Sequence, residues 1–218
     1  MADYLQQTYG VSQISELSKD EIKKLIGFHV VYYAFKKDQL INFRPDHGDG
    51  ATEEQLQVNA GMYYKYRTKS QDVPTQDNDT ALVYHFERYM PVFSYMMFRT
   101  KGIDARQNYE YFYPNTGWTD EAGFNVANAS VTAYPDRTNG GIASNGYIYK
   151  VDRVLKPLET IYKEMQLAGK YDKFLKFYDN FKVYQKDDEL TREYGNGRDL
   201  YTVAFSDNGS PLPPIASE

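Results

Sequence analysis

The chain contains no cysteine. Thiolate metal sites, cysteine nucleophiles and disulfides are therefore excluded as sources of chemistry or stability. No apolar run approaches the ~18–20 residues that a membrane-spanning helix requires. Basic residues number 25 against 30 acidic ones, for a net charge of -5. No Lys/Arg block supplies the concentrated basic face that nucleic-acid binding demands, so nucleic acid is not an expected partner. Catalytic signatures are equally scarce. There is no G-x-S-x-G elbow, Walker loop or dinucleotide fingerprint, and the Asp/Glu residues show no spacing that marks a glycosidase pair. The reading is of a non-enzyme that needs no cofactor.

Aromatic residues are plentiful: 22 Tyr and 12 Phe against a single Trp, in 218 residues. Tyrosine combines a large apolar body with a polar tip, so it serves half-buried strands and binding faces alike. With 41% hydrophobic and 25% charged residues, the composition is that of a folded protein. No basic-then-apolar leader follows Met1, and no lipid-attachment sequence is visible.

Local signals divide the chain. Ser18-Lys19-Asp20-Glu21 is a capping box that opens a short helix carrying Ile22, Leu25 and Ile26, with Gly27 as its stop. Phe28 to Phe35 reads as a buried strand. Residues 44–56 read as loop, Met62–Arg67 as strand and 70–80 as polar loop. Pro91 breaks any long helix between 80 and 97. Short strands are expected at 123–126 and 129–133. Ser144-Asn145-Gly146 is expected to turn tightly, with positive φ at Asn145 and Gly146, into a strand over 147–155 that ends at Pro157. Beyond 158 the sequence predicts a helix ending at Gly169, a second helix bearing Phe174, Phe177, Tyr178 and Phe181, and a strand over 200–205.

Candidate sites are few. His29, His47 and His85 are too separated to form a metal-ligand motif. His29 is expected as a core histidine bonded to backbone or hydroxyl. The Asp46-His47-Gly48-Asp49-Gly50 loop and Asp77-Asn78-Asp79 lack the oxygen pattern of a calcium loop. Asp152-Arg153 reads as an ion pair. Tyr109, Tyr111, Tyr113 and Trp118 could form an aromatic sugar platform, with Glu110, Asp120 and Glu121 as neighbouring acids.

Three features in fixed order carry a family resemblance. They are Leu25-Ile26-Gly27-Phe28-His29-Val30-Val31, then Val126-Ala127-Asn128-Ala129-Ser130-Val131, then Ser144-Asn145-Gly146-Tyr147-Ile148-Tyr149-Lys150-Val151-Asp152-Arg153-Val154-Leu155-Lys156-Pro157. Together they resemble the fasciclin (FAS1) domain. Phe28-His29 stands where the family has Tyr-His, and Asn145, Gly146 and Asp152 fall on marked positions of its closing strand. The resemblance covers residues 4–158, apart from an unaligned stretch from 44 to 120. It implies an α+β fold, a twisted β-wedge or sandwich flanked by short helices, with 1–158 as a domain lacking its opening helices. Residues 159–218 resemble that opening, with Thr160–Met165 and Tyr171–Leu175 as the helices and Tyr201–Asn208 as the strand box. The chain is accordingly expected to be a fragment of a tandem array, its second piece packing on the first in cis or as a domain-swapped homo-oligomer.

The function implied by the resemblance is a non-catalytic adhesion or binding module for surface protein or glycan. Its expected setting is extracellular, on a bacterial outer-membrane lipoprotein. The alternatives are a carbohydrate-active accessory protein or enzyme that uses the tyrosine platform, and a structural spacer.

Overall fold

The computed structural model describes residues 1–41, 64–77, 81–84, 88–100, 102–119, 124–136, 138, 140–157 and 159–211. Its helices are α1 (Ala2–Tyr9), α2 (Lys19–Phe28), α3 (Lys37–Ile41), α4 (Tyr95–Thr100), α5 (Ala105–Phe112), α6 (Ile161–Ala168), α7 (Asp172–Tyr178) and α8 (Asp188–Tyr194). Its strands are β1 (Tyr64–Arg67), β2 (Thr75–Gln76), β3 (Leu82–Val83), β4 (Tyr89–Ser94), β5 (Phe124–Val126), β6 (Ala129–Ala133), β7 (Ile142–Ala143), β8 (Gly146–Tyr147), β9 (Lys150–Val151), β10 (Lys182–Lys186), β11 (Tyr201–Asp207) and β12 (Ser210–Pro211). The class is α+β. Among the described residues, no helix is long and apolar enough to cross a membrane.

The chain divides into two units, one made of 1–69 with 89–156 and the other of 70–88 with 157–218. The first contains an antiparallel sheet in the order β1-β4-β5-β6-β9. The β7-β8 pair stands apart as a two-stranded ribbon. The second unit holds a mixed sheet, β10-β11-β3-β2, in which β11 runs parallel to β3 through Tyr201↔Val83. Residues 70–88, read from sequence with the first piece, thus belong to the second unit through their backbone pairing.

The capping box forms as expected: the Ser18 hydroxyl accepts the Glu21 N–H at 3.2 Å, and the Ser18 N–H donates to Glu21 Oε2 at 2.8 Å. The Ser18 hydroxyl also donates to Glu21 Oε2 at 2.7 Å, and this bond, with that from the Ser18 N–H, holds the Glu21 carboxyl below its usual range. Gly27 does not stop α2, because Leu25 and Phe28 share a face three residues apart and are both fully buried, which carries the helix to Phe28. The expected 28–35 strand is therefore corrected. Phe28 is helical, His29 caps the helix, and only Val31 makes a bridge, to Thr68. Tyr33 interrupts extended geometry with φ 69°.

Pro91 lies inside β4, a central strand, where proline is ordinarily excluded. Its carbonyl accepts the Ala127 N–H at 2.8 Å, which points the residue's backbone edge toward the β5–β6 turn. The N–H that proline lacks is therefore not needed opposite Lys65, its partner across β1.

Among the described residues, two apolar clusters lie in the first unit. One joins Leu5, Leu17, Leu25 and Val154, and the other Phe93, Phe98, Ala105 and Tyr109. In the second unit Phe205 packs on Tyr178, ring centroids 4.5 Å apart. Buried Arg88 is held there by Asp72 and, at 3.0 Å, by Glu159. The helix ending at left-handed Gly169 and the strand at Tyr201 form as read; the helix between them carries Phe174, Phe177 and Tyr178 but ends there, leaving Phe181 in a 3-10 turn over Asp179–Phe181. Sequence reasoning missed β10 and α8, whose N-cap Asp187 accepts from Glu189 N and Leu190 N.

The ribbon over 144–157 also departs from expectation. Ser144 and Asn145 make the turn, yet neither Asn145 nor Gly146 has positive φ. The 147–155 strand reduces to β8 and β9, because Ile148 stays in register with β7, its N–H donating to Gly141 O at 2.7 Å, whereas Lys150 and Val151 pair with β6. The glycine this geometry requires is Gly141, at φ 81°, where a Cβ would lie 2.8 Å from the Ile148 carbonyl oxygen. A Cβ at Gly146 would meet open space. Gly141→Ala is therefore expected to cost about 1–3 kcal/mol, and Gly146→Ala less than about 0.5 kcal/mol. Urea unfolding of the two variants checks the contrast, and equal losses would refute it.

Candidate functional site

After β9 the chain leaves the sheet while still burying Val154 and Leu155. Their backbone groups then need partners that no strand supplies. Side chains supply them. Asp152 Oδ1 accepts the Ser130 N–H at 2.8 Å. Asn128 donates Nδ2 to the Val154 carbonyl at 3.1 Å and accepts the Lys156 N–H on Oδ1 at 3.0 Å. His29 Nε2 accepts the Leu155 N–H at 3.0 Å.

The His29 tautomer follows from its partners. Leu155 N–H can only donate, so Nε2 carries the lone pair; the Leu25 carbonyl can only accept, so Nδ1, 2.9 Å away, carries the proton. That carbonyl is among the last of α2, which have no partner within the helix. The expected bonding to backbone is present, but the residue caps a helix end and is not in the core. His29 is half-buried with both ring nitrogens engaged.

The marked residues thus fall in different places. Phe28 is core, while His29 and Asp152 lie at the two ends of this clamp. Asn145 sits in the separate β7–β8 turn, and Gly146 opens β8. Asp152 also pairs with Arg153 at 2.9 Å, the ion pair expected from sequence, and Arg153 reaches the Thr116 carbonyl at 3.1 Å. Asn128 was overlooked as a clamp, although a polar amide between two alternating apolar runs was its available signal.

The four aromatic candidates do not form one exposed platform. Alternation at 109, 111 and 113 would align them in a strand, but Asp104 caps a helix here, its Oδ1 accepting Gln107 N–H at 2.7 Å. Tyr109 then turns into the core beside Phe93, with Tyr113 and Trp118 packed around it. Tyr111 is left 82% exposed on another face. Glu110 is exposed on α5. Asp120, Glu121, His47 and His85 lie outside the described residues, as do Asn78 and Asp79.

Asp77 is described, in the second unit. Its Oδ2 receives Lys182 Nζ at 3.3 Å and the Tyr184 hydroxyl at 3.0 Å. Lys182 also pairs with Asp179 at 3.3 Å, and the Tyr162 hydroxyl donates to Asp179 Oδ1 at 2.6 Å. Burial opposes the Lys182 charge, but the Tyr162 hydrogen bond and the Asp77 and Asp179 carboxylates outweigh it and raise its pKa. This network pairs one cation with two carboxylates and fastens β10 to its surroundings. Among the described residues, no group of three or more His, Asp and Glu side chains could hold a metal ion.

Two expectations test these assignments. His29→Ala leaves the Leu155 N–H unpaired and should cost about 1–3 kcal/mol; unchanged urea unfolding would remove the clamp's role. The Tyr109 hydroxyl donates to the buried Ala127 carbonyl at 2.8 Å, and burial pushes its pKa up to about 12. An unfolded tyrosine ionises near its usual value of about 10. Between those values the unfolded state binds fewer protons, so stability falls as pH rises from about 10 to 12. Tyr109→Phe should flatten that fall, as followed by unfolding at stepped alkaline pH. No family model, curated protein or solved structure matches this chain.

Proposed function

We propose that the first unit is a fasciclin-like wedge and that the chain acts as a non-catalytic binding module at a cell surface. On this reading it is part of an extracellular bacterial lipoprotein that engages glycan or protein partners. The observation that carries the reading is the 3.0 Å bond from Leu155 N–H to His29 Nε2. It joins two of the sequence features behind the resemblance, the Phe28-His29 pair and the Val-Asp-x-Val-Leu-x-Pro run, across 126 residues of chain. The third feature enters the same clamp through Asn128 and Ser130.

The roles of these residues favour binding over catalysis. His29 has one nitrogen on a helix carbonyl and the other on a backbone N–H, so it serves architecture. Asp152 is likewise occupied by Ser130 and Arg153. The experiment is a microarray of neutral and acidic glycans and extracellular matrix proteins, combined with a reducing-end assay on every polysaccharide bound. Saturable binding without release of reducing ends is expected. Hydrolysis of a bound polymer, or no retention of any ligand at millimolar protein, would overturn the proposal.

A further inference from the structure

The sequence from Lys65 to Lys69 alternates as a strand, with Tyr66 and Thr68 buried and Lys65, Arg67 and Lys69 exposed. Successive exposed positions lie about 6.5–7 Å apart along an extended chain. Three cations therefore stand in a row at the β1 edge of the first sheet, on a protein whose net charge is -5.

Tyrosine rings hold this row in place. Arg67 and Lys69 both lie over the Tyr32 ring, 5.0 and 5.3 Å from its centroid, and Lys65 lies over Tyr89 at 5.9 Å. A ring face attracts a cation through its quadrupole but does not cancel the charge. Among the described residues Lys65 and Lys69 make no ion pair. Long side chains ordered in advance lose less freedom when a ligand arrives.

The backbone fixes the aromatic side of the row. Tyr32 N–H donates to Arg67 O at 3.0 Å and Lys69 N–H to Val30 O at 2.7 Å. Tyr33 follows these bonds directly in the chain; its φ of 69° is an outlier for a bulky residue, and the residue is 86% exposed. Strain of that kind persists only where its surroundings impose it. The same bonds occupy part of the free edge of β1, so a peptide cannot add there as a further strand. Recognition is left to side chains, namely charges for anionic groups and phenol rings for apolar C–H faces.

We infer that Lys65, Arg67, Lys69, Tyr32, Tyr33 and Tyr89 form a binding strip for an acidic polysaccharide, one bearing carboxylate or sulfate groups on stackable sugar rings. The inference rests on the reading of the chain as a binding module and names the partner class for it.

The test is affinity electrophoresis and calorimetry of the whole chain with polygalacturonate and heparin. Dextran and an oligo-dT strand serve as comparison ligands, and circular dichroism confirms the fold of each variant. Both acidic polymers should bind, more weakly as salt rises, and dextran should not. K65A/K69A should weaken binding roughly three- to tenfold, and Y33A should weaken it without changing the salt dependence. K173A/K176A removes equal charge from exposed positions on α7 and should bind like the parent. Equal loss in K173A/K176A, or oligo-dT bound through the strip with both glycans ignored, would overturn the inference. Retention of a surface ligand that K65A/K69A leaves intact would overturn the strip alone, leaving the binding-module reading in place. No retention of any polymer or matrix protein would remove both.

Discussion

The first unit depends on how the chain leaves its sheet at Asp152. Burying Val154 and Leu155 is favourable only if the backbone carrying them is satisfied, because an unpaired buried amide costs about as much as burying an aliphatic side chain gains. His29 resolves this by serving two orphans at once, the Leu25 carbonyl at the end of α2 and the Leu155 N–H. One imidazole thereby couples a helix end to a strand exit, and Val154 joins the cluster that also holds Leu5, Leu17 and Leu25. The helix, the exit segment and that apolar cluster form one cooperative arrangement.

Legibility in the sequence followed the range of the forces involved. Features fixed within four residues were readable: the Ser18–Glu21 box, the Gly169 stop, and the β5–β6 alternation. Features fixed by partners far along the chain were not. The aromatic run after Phe28 has strand composition, but the helix period of Leu25 and Phe28 claims its start and Tyr33 its middle. The 109–113 alternation misled for a related reason, since the Asp104 cap imposes a period of 3.6 that sends Tyr109 inward and Tyr111 outward. Pro91 discouraged a helix as expected, yet its place in a central strand depended on which way its edge faced.

The candidate site was legible in part. His29 and Asp152 were singled out and are both engaged at the exit clamp, whereas Asn128 went unnoticed because its partners, Val154 and Lys156, lie more than 25 residues away. The cationic row was hidden by composition, because three positive charges vanish in a chain with more acids than bases. Only alternate spacing, together with the tyrosines that meet it from residues 32 and 89, makes it visible.

The second unit has an implication for synthesis. Its β2–β3 hairpin finds its parallel neighbour β11 only at Tyr201, some 118 residues after Val83. As the chain emerges, β2 and β3 must wait for that whole intervening stretch with one strand edge uncovered, a situation that slows assembly and invites pairing with another nascent copy. The brevity of that hairpin, two residues per strand, limits the hazard by offering little ladder to a wrong partner.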